Sequence, residues 1–318
     1  MTSGSGMAAC CVRFDKVEKT FRDFWGRPHV RAVRGISFTV HAGTIFGLLG
    51  PNGSGKSTAM KMMLGLLRPT AGQIAILGQP PDSVTVKARL GYMPEESALY
   101  PFLTAEELLD LFGQIFGLSA DERHERVDQL LEMMGLHHAR RRRVGEFSKG
   151  MMRRLCLAQA LINDPELLLL DEPTAGLDPV GCRQVKDILV ALAQRGRTVV
   201  LSSHLLADVE DVCDRIAILY HGVLCAEGRV NELLEEREQI RVCLPALDPS
   251  QREAVLNWLR QQTGVEPVWD HPRKDLETVF LETIRKAPLP SDGASGAAVE
   301  ERRPVAPFLS RPREPLLP

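Results

Sequence analysis

An α/β fold built on a largely parallel sheet is predicted by two patterns in the sequence. From Cys10 to about Gly228, short apolar runs alternate with amphipathic helical stretches, as in strands joined by crossover helices. Within this region a glycine-rich loop follows one apolar run, and a run of four leucines predicts a central strand buried on both faces. The expected strands are Cys11–Val17, Ala32–Val40, Thr44–Leu49, Gln73–Leu77, Leu90–Met93, Leu167–Leu170, Thr198–Leu201 and Arg215–Leu219, the last followed by a hairpin that ends near Cys225.

The strand pattern stops at about residues 102–161, where the sequence predicts a helical insertion. Two helix starts are indicated by capping boxes, in which a hydroxyl residue is followed three positions later by glutamate. A third helix should run from Ser148 to about Asn163. The two boxes pair Thr104 with Glu107 and Ser119 with Glu122, and their helices should end near Phe116 and Met134.

Four regions are expected along the chain. Residues 1–9 are small and polar and should be flexible, and residues 10–228 form the α/β domain. Residues 229–286 predict a small C-terminal αβ domain. Residues 287–318 hold seven of the 21 prolines and a single aromatic residue, so we expect a disordered tail. In the small domain, helices are expected at Val230–Arg237, Gln251–Gln261 and Leu276–Ile284, and a strand at Ile240–Leu244.

Charge and cysteine content argue against several classes of protein. Lys plus Arg number 39 and Asp plus Glu 41, a net charge of -2 that disfavours a dedicated nucleic-acid binder. The seven cysteines form no CxxC pair, which disfavours a zinc ribbon or a disulfide framework and favours a reducing cytosol. No run approaches the ~18 apolar residues of a membrane helix, and the N-terminus lacks a signal-peptide pattern. Contact with a membrane would therefore need a partner chain.

The strongest functional motif matches GxxxxGK[ST] and lies between an apolar strand, Ile45–Leu49, and a helix-forming run, Thr58–Leu67. Its glycines let main-chain N–H groups converge on phosphate oxygens, and the helix dipole adds to the attraction. Lys56 would neutralise the β- and γ-phosphates of ATP, and Ser57 would bind Mg²⁺. The alternative, a glycine-rich turn that only caps a helix, accounts less well for a strand before the motif together with a helix-forming run after it. The candidate nucleotide-binding residues of this motif, the phosphate loop, are Gly50, Pro51, Asn52, Gly53, Ser54, Gly55, Lys56, Ser57 and Thr58.

The second motif is the four-leucine run Leu167–Leu170 followed by Asp171 and Glu172. The carboxyl ends of strands are where open α/β sheets bind ligands. Asp171 would hold Mg²⁺, directly or through water, and Glu172 would orient the attacking water and accept its proton. Alone, a strand ending in Asp-Glu is equally explained as a helix cap, but the phosphate loop upstream favours the functional interpretation.

A third motif makes the sequence resemble a known family. Residues 147–151 are FSKGM, similar to the LSGGQ signature of ATP-binding cassette (ABC) ATPases. The order of phosphate loop, helical insertion, signature, Leu-rich strand and later strand ending in His also resembles the family, over about Cys10–Gly228. By this resemblance Asp178 matches the D-loop and His204 the switch histidine, which would contact the γ-phosphate. Taken singly, Ser148 is better explained as a helix cap, Asp178 before Pro179 is an ordinary turn residue, and His204 could simply open a helix.

The resemblance implies a P-loop NTPase fold with an ABC-type nucleotide-binding domain, in which two cassettes sandwich two ATP molecules head to tail. The phosphate loop of one cassette would face the signature of the other. There Ser148 and the main-chain N–H of Gly150 would complete the γ-phosphate site. Lys149 and Met151 occupy signature positions where the family commonly has Gly and Gln.

Two further positions are assigned by the same resemblance. Glu95, in the segment GYMPEE, stands where the family usually has a Gln that senses Mg²⁺, and a carboxylate still suits that ion. Phe21 fits best as the aromatic residue that stacks on adenine. Phe24 and Trp25 are alternatives, because residues 22–29 lengthen this loop.

The segments FSKGM, GYMPEE and the C-terminal LETVFLE resemble ATPases of ABC-2-type exporters. The resemblance implies an ATP-binding and ATP-hydrolysing subunit that uses ATP and Mg²⁺. It would pair with a second copy of itself and with a separately encoded membrane-spanning permease, on the inner face of the cell membrane. The cargo is not encoded in these motifs.

Two other interpretations remain open. A soluble ABC ATPase that acts on ribosomes or DNA would normally carry two cassettes or a long coiled-coil insertion, and this chain has one phosphate loop. A small-molecule kinase would leave the signature unexplained. The basic run Arg140–Arg143 would suit a nucleic acid, but a solvated helix end or loop is the preferred interpretation, so no nucleic-acid partner is expected.

Overall fold

The computed structural model describes residues 10–23, 25, 27–96, 98–235, 242, 244–264, 267 and 304–310, so the N-terminal segment 1–9 lies outside it. The chain divides into two compact units, residues 1–233 with 295–318, and residues 234–294. The described strands are β1 (Cys10–Arg22), β2 (Pro28–His41), β3 (Ile45–Leu49), β4 (Ala71–Ile76), β5 (Leu90–Met93), β6 (Leu167–Asp171), β7 (Thr198–Ser203), β8 (Arg215–Tyr220) and β9 (Val223–Arg229). The described helices are α1 (Lys56–Met63), α2 (Val84–Lys87), α3 (Ala105–Ile115), α4 (Ala120–Met133), α5 (Lys149–Leu161), α6 (Pro179–Gln194), α7 (Leu206–Val212), α8 (Val230–Leu234) and α9 (Pro249–Thr263).

The strands form two sheets instead of the single largely parallel sheet that the sequence predicts. One is antiparallel, in the order β2-β1-β4; the other has the order β5-β6-β7-β3-β8-β9 and is parallel except for the β8–β9 hairpin. Residues 23–27 between β1 and β2 are too few for a crossover, so these two strands must pair antiparallel. The α/β class is confirmed, with mixed sheets.

The carboxyl ends of β3, β6 and β7 lie side by side at one edge of the larger sheet. Leu49 pairs with Ser203, and Asp171 pairs with Ser202. Strand pairing therefore brings the phosphate loop after β3 and the Asp-Glu pair at the end of β6 to the same edge of the sheet. This is the edge at which open parallel sheets bind ligands.

Two apolar clusters flank the larger sheet. The one that faces the antiparallel sheet contains Phe14, Phe38 and Phe46, whose rings stack in series with centroids 4.5 and 5.5 Å apart. It also buries three methionines of α1, which fixes the helix that follows the phosphate loop: Met60, Met62 and Met63.

The other cluster joins the larger sheet to α3, α4 and α5 of the helical insertion. Both predicted capping boxes form, with Thr104 and Ser119 as the N-caps of α3 and α4. The interpretation of Arg140–Arg143 as a solvated run is wrong for Arg140. Its guanidinium lies 2.8 Å from carboxylates of both Glu106 and Asp128, and so ties α3 to α4.

The predicted disorder of residues 287–318 is wrong for residues 304–310, which are described and include a short 3-10 helix from Pro307 to Ser310. The main-chain N–H of Phe308 donates to Gln129 Oε1 of α4 at 3.2 Å, and Arg197 Nη2 donates to the Leu309 carbonyl at 3.3 Å. The prediction is based on the low aromatic content of the whole tail and overlooks a short apolar run within it. The four buried side chains, all in the same cluster as the helical insertion, are Val305, Ala306, Phe308 and Leu309.

In the second unit, α9 agrees with the helix expected at Gln251–Gln261 and is opened by a capping box between Asp248 and Gln251. The expected helix Leu276–Ile284 and most of the expected strand Ile240–Leu244 lie outside the described residues. Across the residues that the structure describes, no helix is long and apolar enough to cross a membrane.

Candidate functional site

A cavity of about 750 Å³ opens at the carboxyl edge of the larger sheet. It is lined by residues 52–58 of the phosphate loop, by Phe21 of β1, and by two carboxylates, Glu95 after β5 and Glu172 after β6. Four separate sequence signals therefore meet in one space. Trp25, an alternative to Phe21, is 78 % exposed and is not among the lining residues, and Phe24 lies outside the described part of the chain.

The phosphate loop is a main-chain cradle that only glycine can form at two positions. Gly50 has φ 151°, and a Cβ there would lie 2.2 Å from the Leu219 carbonyl oxygen. Gly55 has φ 106°, and its Cβ would lie 2.6 Å from the Ala32 carbonyl oxygen. These backbone conformations are strained for residues with side chains.

Two side chains inside the cradle suit a phosphate. Lys56 is buried, and its Nζ donates to the carbonyls of Gly50 at 2.6 Å and Pro51 at 3.2 Å. Ser54 is 2 % exposed, and its hydroxyl oxygen has no hydrogen-bond partner in the described structure. A buried ammonium that bonds only neutral carbonyls and an orphaned hydroxyl are both groups that a phosphate oxygen would satisfy.

The second half of the site consists of Asp171, Glu172, Ser202 and His204, which we call the carboxylate edge. The Ser202 hydroxyl donates to Asp171 Oδ1 and accepts from the Glu172 main-chain N–H at 3.1 Å. Glu172 has φ 50°, a left-handed conformation that is uncommon for a residue with a side chain. The sheet register and Ser202 together therefore hold Glu172 in an unusual geometry next to the cavity.

His204 follows β7 and meets Glu172. Its Nδ1 lies 2.9 Å from Glu172 Oε2, and the two groups approach in distance without forming an aligned hydrogen bond. Glu172 is buried, whereas the His204 side chain is 46 % exposed. The pair places the carboxylate of Glu172, which lines the cavity, next to the imidazole of His204, which lies outside the described lining. A carboxylate beside an imidazole is an arrangement that suits proton transfer to or from water.

Burial perturbs two groups beneath this edge. Desolvation lowers the pKa of the Arg153 guanidinium below its usual range, opposed by the negative charges of Glu95, Asp171 and Glu172. Desolvation also raises the pKa of Tyr92 in β5 to about 12, so this phenol stays neutral at physiological pH.

The comparisons with known proteins agree with this geometry. Residues 33–175 match the family model described as ABC transporter. An uncharacterized ABC transporter ATP-binding protein of Synechocystis sp. is 40% identical over 268 residues, which cover 83% of this chain and 75% of that protein. The chain belongs to the ABC transporter ATP-binding family. Its resemblance to ABC ATPases is thereby confirmed, and ATP binding and hydrolysis are its activity.

Other ABC relatives extend the comparison. The Nod factor export ATP-binding protein I of Burkholderia orbicola is 36% identical over 311 residues, covering 96% of this chain and 94% of that protein. A solved structure of a dimeric ATP-binding cassette in a post-hydrolysis state, bound to ADP and phosphate, superposes with a TM-score of 0.64. It is 27% identical and covers 69% of this chain and 98% of that cassette.

The signature and D-loop residues of this ABC cassette lie apart from the cavity lining. Ser148 is the N-cap of α5 and accepts from the Met151 N–H at 3.2 Å, and Asp178 is the N-cap of α6 and accepts from the Gly181 N–H at 2.6 Å. Lys149 packs against Gly176, which precedes Asp178 by two residues. The signature and the D-loop therefore neighbour each other, and Ser148, Lys149, Gly150, Met151 and Asp178 are absent from the described lining.

Several residues of the site were missed by sequence reasoning. Ser202 could have been found, because it lies near the end of β7, two positions before His204, which follows that strand. Arg153 had a weaker signal, a charged residue beside the buried positions Cys156 and Leu157 of α5. The remaining missed residues line the cavity from β2 and from the β8–β9 turn, which only long-range packing brings near: His29, Val30, Arg31, Ala32, Arg34 and His221.

Proposed function

We propose that this chain is the ATP-hydrolysing subunit of an ABC exporter, which works as a homodimer with a separately encoded membrane-spanning permease. The observation that carries the proposal is that the phosphate loop, Glu95 and Glu172 line the same cavity. An export role is supported by similarity to relatives named Nod factor export ATP-binding protein I, which match 72% to 96% of this chain.

In this proposal the cavity binds the whole ATP molecule, from the adenine ring to the triphosphate. The Phe21 ring, which lines the cavity with Lys19 Nζ 5.4 Å from its centroid, stacks on adenine. The main-chain N–H groups of residues 52–58 bind the phosphates, together with the Ser54 hydroxyl. Lys56 exchanges its two carbonyl acceptors for β- and γ-phosphate oxygens, a charge-assisted contact that is stronger than the bonds it replaces.

Mg²⁺ would be held by Ser57, Glu95 and Asp171, an all-oxygen set that suits this ion. Ser57 and Glu95 both line the cavity, and Asp171 lies one residue before the lining residue Glu172. Two carboxylates and one hydroxyl leave room for phosphate oxygens and water, which Mg²⁺ prefers to keep. When bound, the ion would neutralise charge that develops on the β- and γ-phosphates.

Hydrolysis is assigned to the carboxylate edge. Glu172 Oε2 accepts the proton of the attacking water, and its buried, strained position keeps it aimed at the γ-phosphate side of the cavity. His204 contacts the γ-phosphate, and its Nδ1 lies 2.9 Å from Glu172 Oε2. Neither side chain needs a large movement, because both residues already lie at the carboxyl edge of the larger sheet.

The signature and D-loop residues, which do not line the described cavity, are assigned to the site of the second copy. Ser148, Lys149, Gly150 and Met151 lie at the start of α5, where Ser148 and the main-chain N–H of Gly150 would contact a phosphate in trans. Asp178, the N-cap of α6, would lie beside them at the same interface. ATP would then close the dimer, and hydrolysis would remove the contact that holds it closed.

Light scattering of the Glu172→Gln variant with and without Mg-ATP tests the homodimer. We expect a dimer with Mg-ATP and a monomer with ADP. Ser148→Ala in that background should weaken the dimer, whereas Ser119→Ala should not, although both remove a helix N-cap worth about 1 kcal/mol. A monomer at high protein concentration with ATP bound would contradict the homodimer.

Membrane fractionation tests the permease. The chain expressed alone should stay in the supernatant, and co-expression with the candidate membrane subunit should move it to the membrane fraction. Equal membrane association with and without any permease would contradict a role that depends on that partner.

A further inference from the structure

Arg153 is a buried cation at the junction of the two halves of the site. It lies on α5, is 4 % exposed, and its guanidinium donates four hydrogen bonds to main-chain carbonyls. Nη1 donates to Pro94 at 2.8 Å and to Glu95 at 2.6 Å. Nη2 donates to Asp171 at 3.3 Å and to Glu172.

These acceptors belong to two loops that the sheet places side by side. Pro94 and Glu95 follow β5. Asp171 ends β6, the parallel neighbour of β5, and Glu172 follows it. The planar guanidinium fork spans both loops at once, which the single ammonium of a lysine cannot match. Arg153 therefore fixes the distance between the main chains that carry Glu95 and Glu172.

A buried charge is a costly way to fill this space. Removing a guanidinium from water is unfavourable, and an apolar side chain of similar volume would pack there without that cost. The bonds to four carbonyls and the three carboxylates nearby, Glu95, Asp171 and Glu172, offset the desolvation. Arg153 is thus retained in spite of the desolvation cost, and it is hydrogen-bonded to the main chain of the cavity residues Glu95 and Glu172. We therefore infer that its role is to fix the geometry of these two residues.

The Glu172 main chain is held from both sides. Its N–H donates to the Ser202 carbonyl at 3.2 Å and to the Ser202 hydroxyl at 3.1 Å, while its carbonyl accepts from Arg153. The left-handed φ of 50° is unfavourable for a residue with a side chain, so it persists only where neighbours enforce it. Loss of the Arg153 bonds would release one of the two restraints.

We propose that Arg153 is a positioning residue for ATP hydrolysis, which sets the orientation of the Glu172 and Glu95 carboxylates through their main-chain carbonyls. The same contact links these carboxylates to α5, the helix that begins at the signature residue Ser148. Movement of the signature on pairing with a second copy would therefore reach the hydrolytic carboxylates directly. This inference rests on the proposed roles of Glu172 and Glu95.

The test compares Arg153→Met, Arg153→Lys and Arg197→Met in the complex with the membrane subunit. Arg197 is the matched control, a buried arginine 2.6 Å from Asp164 that bonds the Leu309 carbonyl and lies outside the described cavity lining. For each variant, melting temperature, ATP affinity, kcat, KM and the Mg²⁺ concentration for half-maximal turnover are measured.

We expect Arg153→Met to lower kcat by about 10- to 100-fold, the usual consequence of misplacing a reacting group by about 1 Å. ATP affinity should stay within about threefold, because the phosphate loop is untouched, and the half-maximal Mg²⁺ concentration should rise. Arg153→Lys should recover part of the kcat. Arg197→Met should lower the melting temperature and leave kcat per folded molecule nearly unchanged.

A wild-type kcat and Mg²⁺ response in Arg153→Met, with only a lower melting temperature, would overturn the proposal. If Arg153→Met does not fold, a wild-type kcat in Arg153→Lys would overturn it instead. Glu172→Gln, measured in parallel, separates loss of the proton acceptor from loss of its positioning. Normal turnover in Glu172→Gln would remove the proposed base itself, whereas a stalled Glu172→Gln beside a normal Arg153→Met would remove only the positioning role.

Discussion

The phosphate loop and the carboxylate edge occupy one cavity but are built in different ways. The loop is one continuous segment, residues 50–58, whose shape comes from glycines and from the start of α1. The edge takes residues from the ends of β6 and β7, and Arg153 of α5 donates to the main-chain carbonyls of Asp171 and Glu172. The loop therefore supplies binding through local structure, and the edge supplies chemistry through long-range packing. Changes in the two regions should separate nucleotide affinity from turnover.

The largest expected effect is on the carboxylate edge. Glu172→Gln replaces the proton acceptor with an amide that cannot take a proton from water. Turnover in the complex with the membrane subunit should fall by ~10²–10⁴-fold, the usual contribution of a general base. Steady-state ATPase assays measure this, and a wild-type rate would show that the base is another group.

The next-largest effect is expected for substitution of a phosphate-loop glycine whose added Cβ would clash with the main chain. Gly50→Ala should lower the free energy of unfolding by about 2–4 kcal/mol and abolish nucleotide binding, because its Cβ would meet the Leu219 carbonyl at 2.2 Å. Gly53→Ala is the control, since its φ is 79° but no heavy atom lies within 4 Å of the added Cβ. Denaturant unfolding of both variants decides the point. Equal losses would mean that backbone strain alone, without the close approach, shapes the loop.

A third change acts on binding within the loop. Lys56→Ala removes an ammonium that would contact the triphosphate, and it should weaken ATP affinity by about 10- to 150-fold, the loss of one charge-assisted contact. Titration calorimetry with ATP measures it, and AMP binding serves as the control because AMP lacks the β- and γ-phosphates. Equal losses for ATP and AMP would contradict the assigned contact.

The smallest effect concerns a region that belongs to neither half of the site. Phe308→Ala should lower the free energy of unfolding by about 1–3 kcal/mol, less than a rigid core site would lose because the tail segment can also detach. Phe102→Ala, at a 67 % exposed position of the helical insertion, is the matched control and should change little. Thermal melts of both variants should differ, while ATP affinity stays at the wild-type value. An unchanged melting temperature in Phe308→Ala would mean that the tail contributes nothing to stability.

The two regions also differ in how far the sequence alone predicts them. The phosphate loop, the capping boxes of α3 and α4, and most strand positions depend on neighbours within a few residues, so local patterns suffice. The antiparallel sheet and the buried segment 304–310 depend on contacts between distant residues. Arg153 is the sharpest case, because its partners lie 18 to 59 residues away and all are main-chain atoms, which carry no side-chain pattern.

One paired measurement tests the separation of binding from chemistry most directly. ATP affinity and turnover are measured on the same preparations of Lys56→Ala and Glu172→Gln, each in the complex with the membrane subunit. The expected result is a crossed pattern: Lys56→Ala loses affinity, whereas Glu172→Gln keeps affinity within about threefold and loses turnover by at least about 100-fold. Parallel losses of affinity and turnover in both variants would contradict the division of the cavity into a binding loop and a catalytic edge.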